Sequence, residues 1–350
     1  MFAKSWLLFA ALPLFGCREA VHSHDWWAMN CNMSVSIYGK SPRPPELVFG
    51  HVEVETERMA AILTDFSDHS PLSQVTGIAG DTLPIKPEIE SILNEGLEIA
   101  QASHGGFDLT LHDLKMLWGL GDGQKGDVPD SMALDSLMAE NPAYHATWLG
   151  DSAPPQPITL LPGHRVRLNR SHTRLDLGAI AKGHIVDKLH ALLDSLGCPN
   201  HLIQAGGEIR CGGKKQDKPW MIGIRHPRIS DSLAGMIRSS GPLSVSTSGD
   251  YERYFFKDGK RYHHIFNPRT GYPAESSIAV TVVADSGLLT DALSTALFVL
   301  GPEKGMAIAR KFGAKAVWFE QAGKDDDAVC ARVMPELASI LALRDIPACR

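Results

Sequence analysis

The second half of the chain, from about residue 165 onward, is a succession of short strand patterns with few helices between them. Strands are predicted at 166–169, 201–205, 208–211, 220–226, 233–239, 243–246 and 278–282, at 314–319, and as a hairpin across 254–266. Two further helices, near 287–299 and 303–312, come only before the last strand. Doubly wound parallel sheets need strands and helices in regular alternation, so the pattern favours an α+β fold with mixed or antiparallel sheets packed against helices.

The first half of the chain carries three helical patterns, at about 46–65, 87–103 and 131–140, and one strand at Met33–Tyr38. No G-x-G-x-x-G follows a strand, so a Rossmann-type dinucleotide site lacks support. A belt rich in Gly, Asp and Pro at 119–163 is interpreted as a loop or insertion, or as a seam between subdomains.

The composition describes an ordinary globular protein without a nucleic-acid partner. Of 350 residues, 44% are hydrophobic and 21% are charged, which is enough for a large buried core. The net charge is -6, and the chain has neither a basic run nor a nucleic-acid recognition motif. A negatively charged ligand would therefore have to be held locally, by helix termini, single cations or a metal.

The N-terminus has the pattern of an export signal. Lys4 gives a positive start, residues 6–15 form an apolar run too short to span a bilayer, and the run ends in LFGC at 14–17. The last four residues resemble the bacterial lipobox, so residues 1–16 are predicted to be a lipoprotein signal peptide and Cys17 the lipidated first residue. The alternative is a plain secretory signal with an incidental cysteine.

The predicted mature protein is a tether at 17–28 followed by one domain at 29–345. Its predicted location is the bacterial periplasm, where the lipid on Cys17 would anchor it to a membrane, the inner membrane rather than the outer. The other cysteines are Cys31, Cys198, Cys211, Cys330 and Cys349. They show neither a C-x-x-C pair nor zinc spacing, so small buried residues are the favoured interpretation and one disulfide, such as Cys330–Cys349, stays open.

The segment RLDLGAIAKGHIVDKL, residues 174–189, places a carboxylate, bare backbone and a lysine where a helix begins. Apolar residues then recur at helical spacing until Gly197. A helix N-terminus offers unpaired N–H groups to phosphate, Ala179 exposes its backbone, and Lys182 adds a positive charge. The alternative is that Asp176 only caps the helix and Lys182 is a surface lysine.

A second segment, LLTDALSTALFVLG, places Asp291 and Thr295 four residues apart and hence on one helical face. A carboxylate beside a hydroxyl forms a hard-oxygen site that suits Mg²⁺ rather than zinc. The alternative is that both residues are helix caps.

Three further segments carry candidate ligand contacts. HGGFDLT offers Gly106, Phe107 and Asp108 to a flat ligand, and VSTSGD offers the hydroxyl of Thr247 beside a turn. In RYHHIFNPRTG two consecutive histidines point to opposite faces of a strand, so at most one of them easily serves a site. Core packing and ordinary turns are the alternatives.

The order of these blocks along the chain is distinctive. GGFDLT, LWGLG, RLDLGAIAKGHIVDKL, AGGEIR, STSGDYERYF, HHIFNPRTGYP and TDALSTALFVLGPEKG together resemble the FAD:protein FMN transferases, the ApbE-type flavin transferase family. The likeness covers about residues 29–320. It implies an ApbE-like, T-fold-related architecture.

The resemblance also implies an activity. Such enzymes use Mg²⁺ and take FAD as substrate, moving its FMN half through a phosphoester bond to a Thr or Ser of a target protein and releasing AMP. By the same likeness the partner would be an exported acceptor, for example a subunit of an ion-pumping redox complex. Two alternatives stay open, a Mg²⁺-dependent FAD pyrophosphatase and a non-catalytic FAD-binding lipoprotein.

Residue roles follow from the resemblance position by position. The implied metal ligands are Ala179 through its backbone oxygen, Asp291 and Thr295, with Ser294 close by. The implied catalytic residue is His264. The implied FAD contacts are Met29, Phe66, Gly106, Phe107, Asp108, Asp176, Lys182, Thr247, His264 and Ile265. The chain departs from the family pattern at Asn30 and Cys31, where Gly and Thr are usual, at Glu208 in place of Asp, and at Asn267 in place of Asp.

Overall fold

The structure is a computed structural model that describes residues 21–121, 125–140, 156–171, 173–216, 218–323 and 328–349. The predicted signal peptide, Cys17 and the first residues of the predicted tether lie outside this part of the chain. The helices are α1 (Pro45–Leu63), α2 (Pro87–Ala102), α3 (His112–Leu117), α4 (Ser131–Glu140), α5 (Ala181–Ser195) and α6 (Gly287–Lys311). The strands are β1 (Val21–Ala28), β2 (Cys31–Tyr38), β3 (Thr82–Pro84), β4 (Ile158–Leu161), β5 (Arg165–Leu168), β6 (His201–Ala205), β7 (Glu208–Cys211), β8 (Trp220–Arg225), β9 (Leu233–Ser239), β10 (Leu243–Gly249), β11 (Tyr254–Lys257), β12 (Lys260–His263), β13 (Ala279–Ala284), β14 (Lys315–Gln321), β15 (Val329–Val333) and β16 (Leu341–Leu343).

The centre of the fold is an eight-stranded sheet in the order β1-β2-β6-β7-β10-β13-β14-β15. Every pair of neighbouring strands in it is antiparallel. The prediction of an α+β fold with antiparallel sheets packed against helices is therefore confirmed.

Each face of this sheet covers a separate hydrophobic core. In β14, Ala316 and Trp318 pack in the core beneath α1, α2, α5 and α6, whereas Val317 and Phe319 pack in the core shared with β8 and β9. Successive residues of a strand point to opposite faces, so a strand with both faces covered is apolar throughout. β8, β9 and β16 form a second sheet that closes the far face.

The tether prediction is wrong for residues 21–28, which form the edge strand β1. β1 pairs along its whole length with β2, and the hairpin turns at Met29 and Asn30. Both turn residues have positive φ, 52° and 55°, as a tight two-residue hairpin turn requires. The segment VHSHDWWA was missed because its half-buried positions are mostly polar or aromatic rather than alternating aliphatic residues.

The two helices predicted near 287–299 and 303–312 are present as the two parts of α6. They meet at Gly301, whose φ of 71° and ψ of 175° break the helix just before Pro302. The first part runs beneath the central sheet and carries Asp291 and Thr295.

The described residues settle some of the remaining predictions. Cys330 and Cys349 form a disulfide, while Cys31, Cys198 and Cys211 are free. Within the 119–163 belt, α4 joins a small third core with Trp118 and Phe266, and parts of the belt lie outside the described residues. Among the residues described, there is no helix with the length and apolar character that crossing a membrane requires.

Candidate active site

A cavity of about 540 Å³ opens where the β1–β2 turn, the end of α1, the start of α5 and the first turns of α6 come together. That volume is within the range of small-molecule sites. The predicted site residues on its wall are Met29, Phe66, Gly106, Phe107, Asp108, Asp176, Ala179, Lys182, Thr247, His264, Ile265, Asp291 and Thr295. The lining residues extend from Met29 to Thr295, so residues more than 260 positions apart in the sequence meet in one concave surface.

Asp291 and Thr295 lie one turn apart on α6 and face the cavity together with Ala179, which precedes α5. Asp291 Oδ2 accepts the backbone N–H of Gly183 at 2.8 Å, in the first turn of α5. A carboxylate is stabilised at this position because the first turn of a helix has free N–H groups and the positive end of the helix dipole. The start of α5 thus binds the Asp291 carboxylate, which is a predicted metal ligand, and it also faces the cavity.

The predicted ligand Ser294 lies behind this wall. Its side chain is completely buried, and its Oγ lies 2.7 Å from Ser248 Oγ and 3.1 Å from Ser246 Oγ. Ser248 Oγ in turn lies 3.2 Å from Thr295 Oγ1. This chain of hydroxyl groups connects α6 to β10 and reaches Thr295 through Ser248, which also lines the cavity.

Lys182 brings a positive charge to the same side of the cavity. Its Nζ lies 3.6 Å from Asp291 Oδ1 and 3.5 Å from the carbonyl oxygen of Gly178. Burial acts to lower the pKa of Lys182, but the nearby acidic groups, first Asp291 and then Glu208, outweigh it and the pKa is raised. Lys182 is therefore a charged ammonium that faces the cavity beside Asp291.

Glu208, which the sequence analysis noted only as a departure from the family pattern, lines the cavity beside this group. Its Oε1 accepts a hydrogen bond from Ser246 Oγ at 2.9 Å, and its buried Oε2 has no hydrogen-bond donor among the described residues. Burial and the nearby Asp291 carboxylate raise the pKa of Glu208 well above its usual value. Two acidic groups and an unsatisfied buried oxygen at one point are the surroundings that a cation would stabilise.

A second charged group, Asp65–Lys115–Asp176, lies on another part of the wall. Lys115 Nζ lies 2.5 Å from Asp65 Oδ2 and 3.0 Å from Asp176 Oδ2. Asp176 Oδ1 accepts the backbone N–H of Gly178 at 2.9 Å, so its carboxylate shapes the loop before α5 rather than capping the helix. Lys115 also lies 4.9 Å from the ring centre of Phe66, a cation–π contact.

Asp65 and Lys115 were missed by the sequence analysis. Burial acts to raise the pKa of Asp65, but His112 and Lys115 outweigh it and lower the pKa to about 2. The signal in the sequence was weak: Lys115 stands between the apolar residues Leu114 and Met116 of the short helix HDLKML, and a lysine that becomes buried there needs charged partners.

The Gly106–Asp108 segment combines close packing with a polar edge. A Cβ on Gly106 would lie 2.8 Å from the Leu300 side chain, so glycine permits the close approach to α6. Phe107 is almost completely buried, with its backbone N–H donating to Ser103 Oγ. Asp108 Oδ1 accepts from the backbone N–H and the hydroxyl of Thr110, which fixes its position at the cavity.

His263 and His264 point to opposite sides, as the sequence analysis predicted. His263 is buried and lies with its Nε2 2.9 Å from the carbonyl oxygen of Ala274, whereas His264 lines the cavity. His264 Nδ1 lies 3.3 Å from the carbonyl oxygen of Arg253, which assigns the ring proton to Nδ1 and the free lone pair to Nε2. Burial, then the charges of His263 and Arg253, lower the pKa of His264 to about 3, so the ring is neutral at pH 7.

Comparisons with known proteins identify the family of the chain. The ApbE family model matches residues 29–318. The chain belongs to the ApbE family. An FAD:protein FMN transferase of Treponema pallidum is 33% identical over 79% of this chain and 78% of its own length, and one of Vibrio cholerae is 32% identical over 73% and 72%. The crystal structure of the Pseudomonas stutzeri flavinyl transferase ApbE, apo form, is 29% identical, covers 94% of this chain and 98% of its own, and has a TM-score of 0.77. The predicted ApbE-like architecture is thus confirmed.

Proposed function

We propose that this ApbE-family protein is a Mg²⁺-dependent FAD:protein FMN transferase, which moves FMN from FAD to a Thr or Ser hydroxyl of an exported protein and releases AMP. The observation that carries the proposal is that one cavity has carboxylate and hydroxyl oxygens beside an ammonium group on one part of its wall and aromatic side chains on another. A dinucleotide has matching parts, a charged diphosphate and a flat ring system. The names of the relatives support the same activity.

The residues present suit Mg²⁺. Asp291 offers a carboxylate, Thr295 a hydroxyl and Ala179 a backbone carbonyl, and all three line one cavity. These are hard oxygen ligands, which Mg²⁺ prefers and zinc does not require. When bound, Mg²⁺ would supply charge neutralisation for a diphosphate that is being cleaved.

In the transfer one P–O bond forms, another P–O bond breaks, and one proton is moved. The acceptor hydroxyl oxygen forms a bond to the phosphorus of the FMN half, and the bond from that phosphorus to the bridging oxygen breaks. AMP leaves with the bridging oxygen and its electron pair. The hydroxyl proton goes to Nε2 of His264, which is neutral and has its lone pair free. Lys182 offers its positive charge to the phosphate oxygens.

The flavin part of FAD has an apolar and aromatic region of the wall to bind to. Phe66 is partly exposed at the cavity, Phe107 and Ile265 are buried behind its surface, and Leu111 adds an aliphatic side. A flat ring system gains most from such a surface because aromatic stacking and burial of apolar area act together.

One assay tests the activity. The full-length protein is incubated with FAD, Mg²⁺ and an exported acceptor protein, and the acceptor is then measured by mass spectrometry while AMP is measured by chromatography. We expect one FMN per acceptor and an equal amount of AMP, and no adduct when the acceptor hydroxyl residue is replaced by Ala. FMN and AMP without an adduct would instead indicate a pyrophosphatase, and tight FAD binding without turnover would indicate a carrier; either result contradicts the proposal.

We further propose that the protein works in the bacterial periplasm, anchored to the inner membrane through lipid on Cys17, and that its acceptor is an exported protein such as a subunit of an ion-pumping redox complex. The Cys330–Cys349 disulfide supports an oxidising compartment. Fractionation of cells that express the wild type or Cys17→Ala tests the anchor. We expect the wild type in the inner-membrane fraction and the variant out of it; equal membrane association of both would contradict the anchor.

A further inference from the structure

A cluster of two histidines and one aspartate lies where the C-terminal half of α5 meets the first residue of β6. His190 and Asp194 are one turn apart on α5, and His201 begins β6. His190 is eight residues beyond Lys182, which corresponds to about 12 Å along the helix, and none of the three residues lines the candidate active site. The cluster has no part in the proposed transfer.

The ligand-type atoms of these three side chains lie within 4.8 Å of one another. His190 Nδ1 lies 2.7 Å from His201 Nε2, and His190 Nε2 lies 3.6 Å from Asp194 Oδ2. Zn–N bonds of about 2.0–2.1 Å in a tetrahedron separate two ligand atoms by about 3.3 Å. An ion held by His190 Nδ1 and His201 Nε2 therefore needs the two rings to separate by only about 0.6 Å, with the ring proton of His190 on Nε2. The Asp194 carboxylate lies beside the other two ring nitrogens, 3.6 Å from His190 Nε2 and 4.0 Å from His201 Nδ1, so its side chain has to rotate toward the ion.

The buried histidine is already held in the form that binds a metal. His201 Nδ1 lies 2.7 Å from the carbonyl oxygen of Cys198, so Nδ1 carries the proton and Nε2 presents its lone pair to His190. A backbone carbonyl that accepts the other ring N–H is the usual support of a metal-bound histidine.

The space around the ring is preserved by the backbone. A Cβ on Gly212 would lie 2.5 Å from His201 Nε2, so glycine at this position leaves room beside the ligating nitrogen. The His201 side chain is completely buried, that of His190 is 19% exposed and that of Asp194 is 47% exposed. The cluster therefore has a buried base and an open side through which an ion enters.

Charged groups of both signs lie around the His190–Asp194–His201 cluster. The guanidinium of Arg210 acts electrostatically on both histidines and opposes a further cation. It is itself placed 3.5 Å from the carboxylate of Asp187, and Asp194 belongs to the cluster. The carboxylates of Asp187 and Asp194 thus offset the charge of Arg210.

We propose that His190, Asp194 and His201 bind one divalent ion of the zinc class, with water in the remaining position, and that this ion fastens α5 to β6. Two imidazoles and one carboxylate suit Zn²⁺, Co²⁺ or Ni²⁺, whereas Mg²⁺ prefers oxygen ligands only. An ion bound to the folded chain alone stabilises the fold by mass action. The competing interpretation is a hydrogen-bonded His–His–Asp chain that binds no metal.

Cobalt serves as the probe because its visible absorption reports nitrogen ligands. Co²⁺ is titrated into the full-length protein with Mg²⁺ in large excess, which occupies oxygen sites, and Zn²⁺ is then added. We expect one equivalent of Co²⁺ to give visible bands, Zn²⁺ to remove them, and Zn²⁺ to raise the thermal unfolding midpoint. His190→Gln and Asp194→Asn should each weaken Co²⁺ binding at least tenfold.

The controls separate this site from others. His164→Gln removes an exposed histidine that is 2.5 Å from a single carboxylate, Glu90, and should bind Co²⁺ as the wild type does. Asp291→Asn should also retain the bands, and its loss of them would place the cobalt in the active site. Absence of stoichiometric binding in the wild type, or unchanged binding in both His190→Gln and Asp194→Asn, would likewise overturn the proposal.

Discussion

Asp291 on α6 and Gly183 in the first turn of α5 are joined by a 2.8 Å hydrogen bond, although 108 positions separate them in the sequence. Around this bond the two helices are in backbone contact. A Cβ on Gly183 would lie 2.2 Å from the carbonyl oxygen of Gly287 and 2.7 Å from Asp291 Cβ. The crossing of α5 and α6 therefore sets the position of the Asp291 carboxylate relative to Ala179 and Lys182.

Gly183→Ala should damage both stability and activity. The added methyl group has to push two backbones apart, and overpacking of this kind costs about 1–3 kcal/mol of unfolding free energy. The same displacement moves Asp291, so the Mg²⁺ concentration needed for half-maximal transfer should rise. Urea unfolding and a Mg²⁺ titration measure the two effects.

Gly50→Ala is the matched control, because Gly50 is also in a helix, α1, but a Cβ there meets nothing within 4 Å. It should leave transfer unchanged and keep or raise stability by up to about 1 kcal/mol. Equal unfolding free energies and equal Mg²⁺ requirements of the two variants would show that the close crossing of α5 and α6 does not set the position of Asp291.

His264→Gln should depress transfer by roughly 10²–10⁴-fold, the usual contribution of a positioned base, while FAD binding stays within a few-fold. The pKa of about 3 keeps the wild-type ring unprotonated between pH 5 and 8. The kcat/KM of the wild type should therefore lack an acid limb centred near pH 6.5. An exposed histidine, His69, supplies the control His69→Gln. A His264→Gln variant as active as this control would remove His264 from the mechanism.

Two other buried histidines predict how stability depends on pH. Burial lowers the pKa of both His184 and His201 to about 4. Between pH 6.5 and 4 the unfolded chain binds protons at these positions and the folded chain does not. The contribution of these two neutral histidines to the free energy of unfolding is therefore fully present above about pH 6.5. It is lost as the pH falls toward 4, by on the order of 1–3 kcal/mol for each histidine.

Urea unfolding at pH 7.5, 6 and 5, with a chelator present to keep metal away from His201, measures this loss. His184→Gln should make the decline shallower. The Asp65 carboxyl, whose pKa is lowered to about 2, adds a separate loss only below about pH 4. A free energy of unfolding that does not change between pH 7.5 and 5 would contradict the assignment of neutral buried histidines.

Lys115→Met should destabilise the protein by about 3 kcal/mol or more, because it leaves the carboxylates of Asp65 and Asp176 without their shared cation. It should also weaken FAD binding, since Lys115 packs over Phe66 at the cavity. Lys257→Met, which breaks an exposed pair with Asp127, is the control and should leave the unfolding midpoint unchanged. Similar effects of the two substitutions would show that the buried network has no special role.

Hydrophobic periodicity predicted helices and strands well where one face of the element is apolar. The spacing of α2 and the alternation of β6, β7 and β9 predicted these elements to within a residue. The Asp-Gly turn predicted the β11–β12 hairpin, because Asp258 and Gly259 both adopt the positive φ that such a turn needs. Edge strand β1 lacks an aliphatic face and was missed.

In the site, the i,i+4 spacing of Asp291 and Thr295 was enough to place both on one helical face. No spacing rule links Lys115 to Asp65 and Asp176, because their meeting depends on how α1, α3 and the loop before α5 pack. The same holds for Glu208, which reaches Ser246 from a neighbouring strand. Tertiary packing decides such contacts, and only the folded chain shows them.

The central claim is that Asp291, Thr295 and the Ala179 carbonyl hold one divalent cation at the diphosphate of FAD. Crystals of the full-length protein grown with FAD and Mn²⁺, a substitute for Mg²⁺ with an anomalous signal, test it most directly. We predict an anomalous peak within bonding distance of all three oxygens and of the diphosphate. The peak should be lost in Thr295→Val and kept in Thr290→Val. Thr290 is a buried threonine of the same helix whose hydroxyl donates to the carbonyl oxygens of Ser286 and Gly287. A peak elsewhere, or FAD bound with its diphosphate away from these residues, would contradict the account.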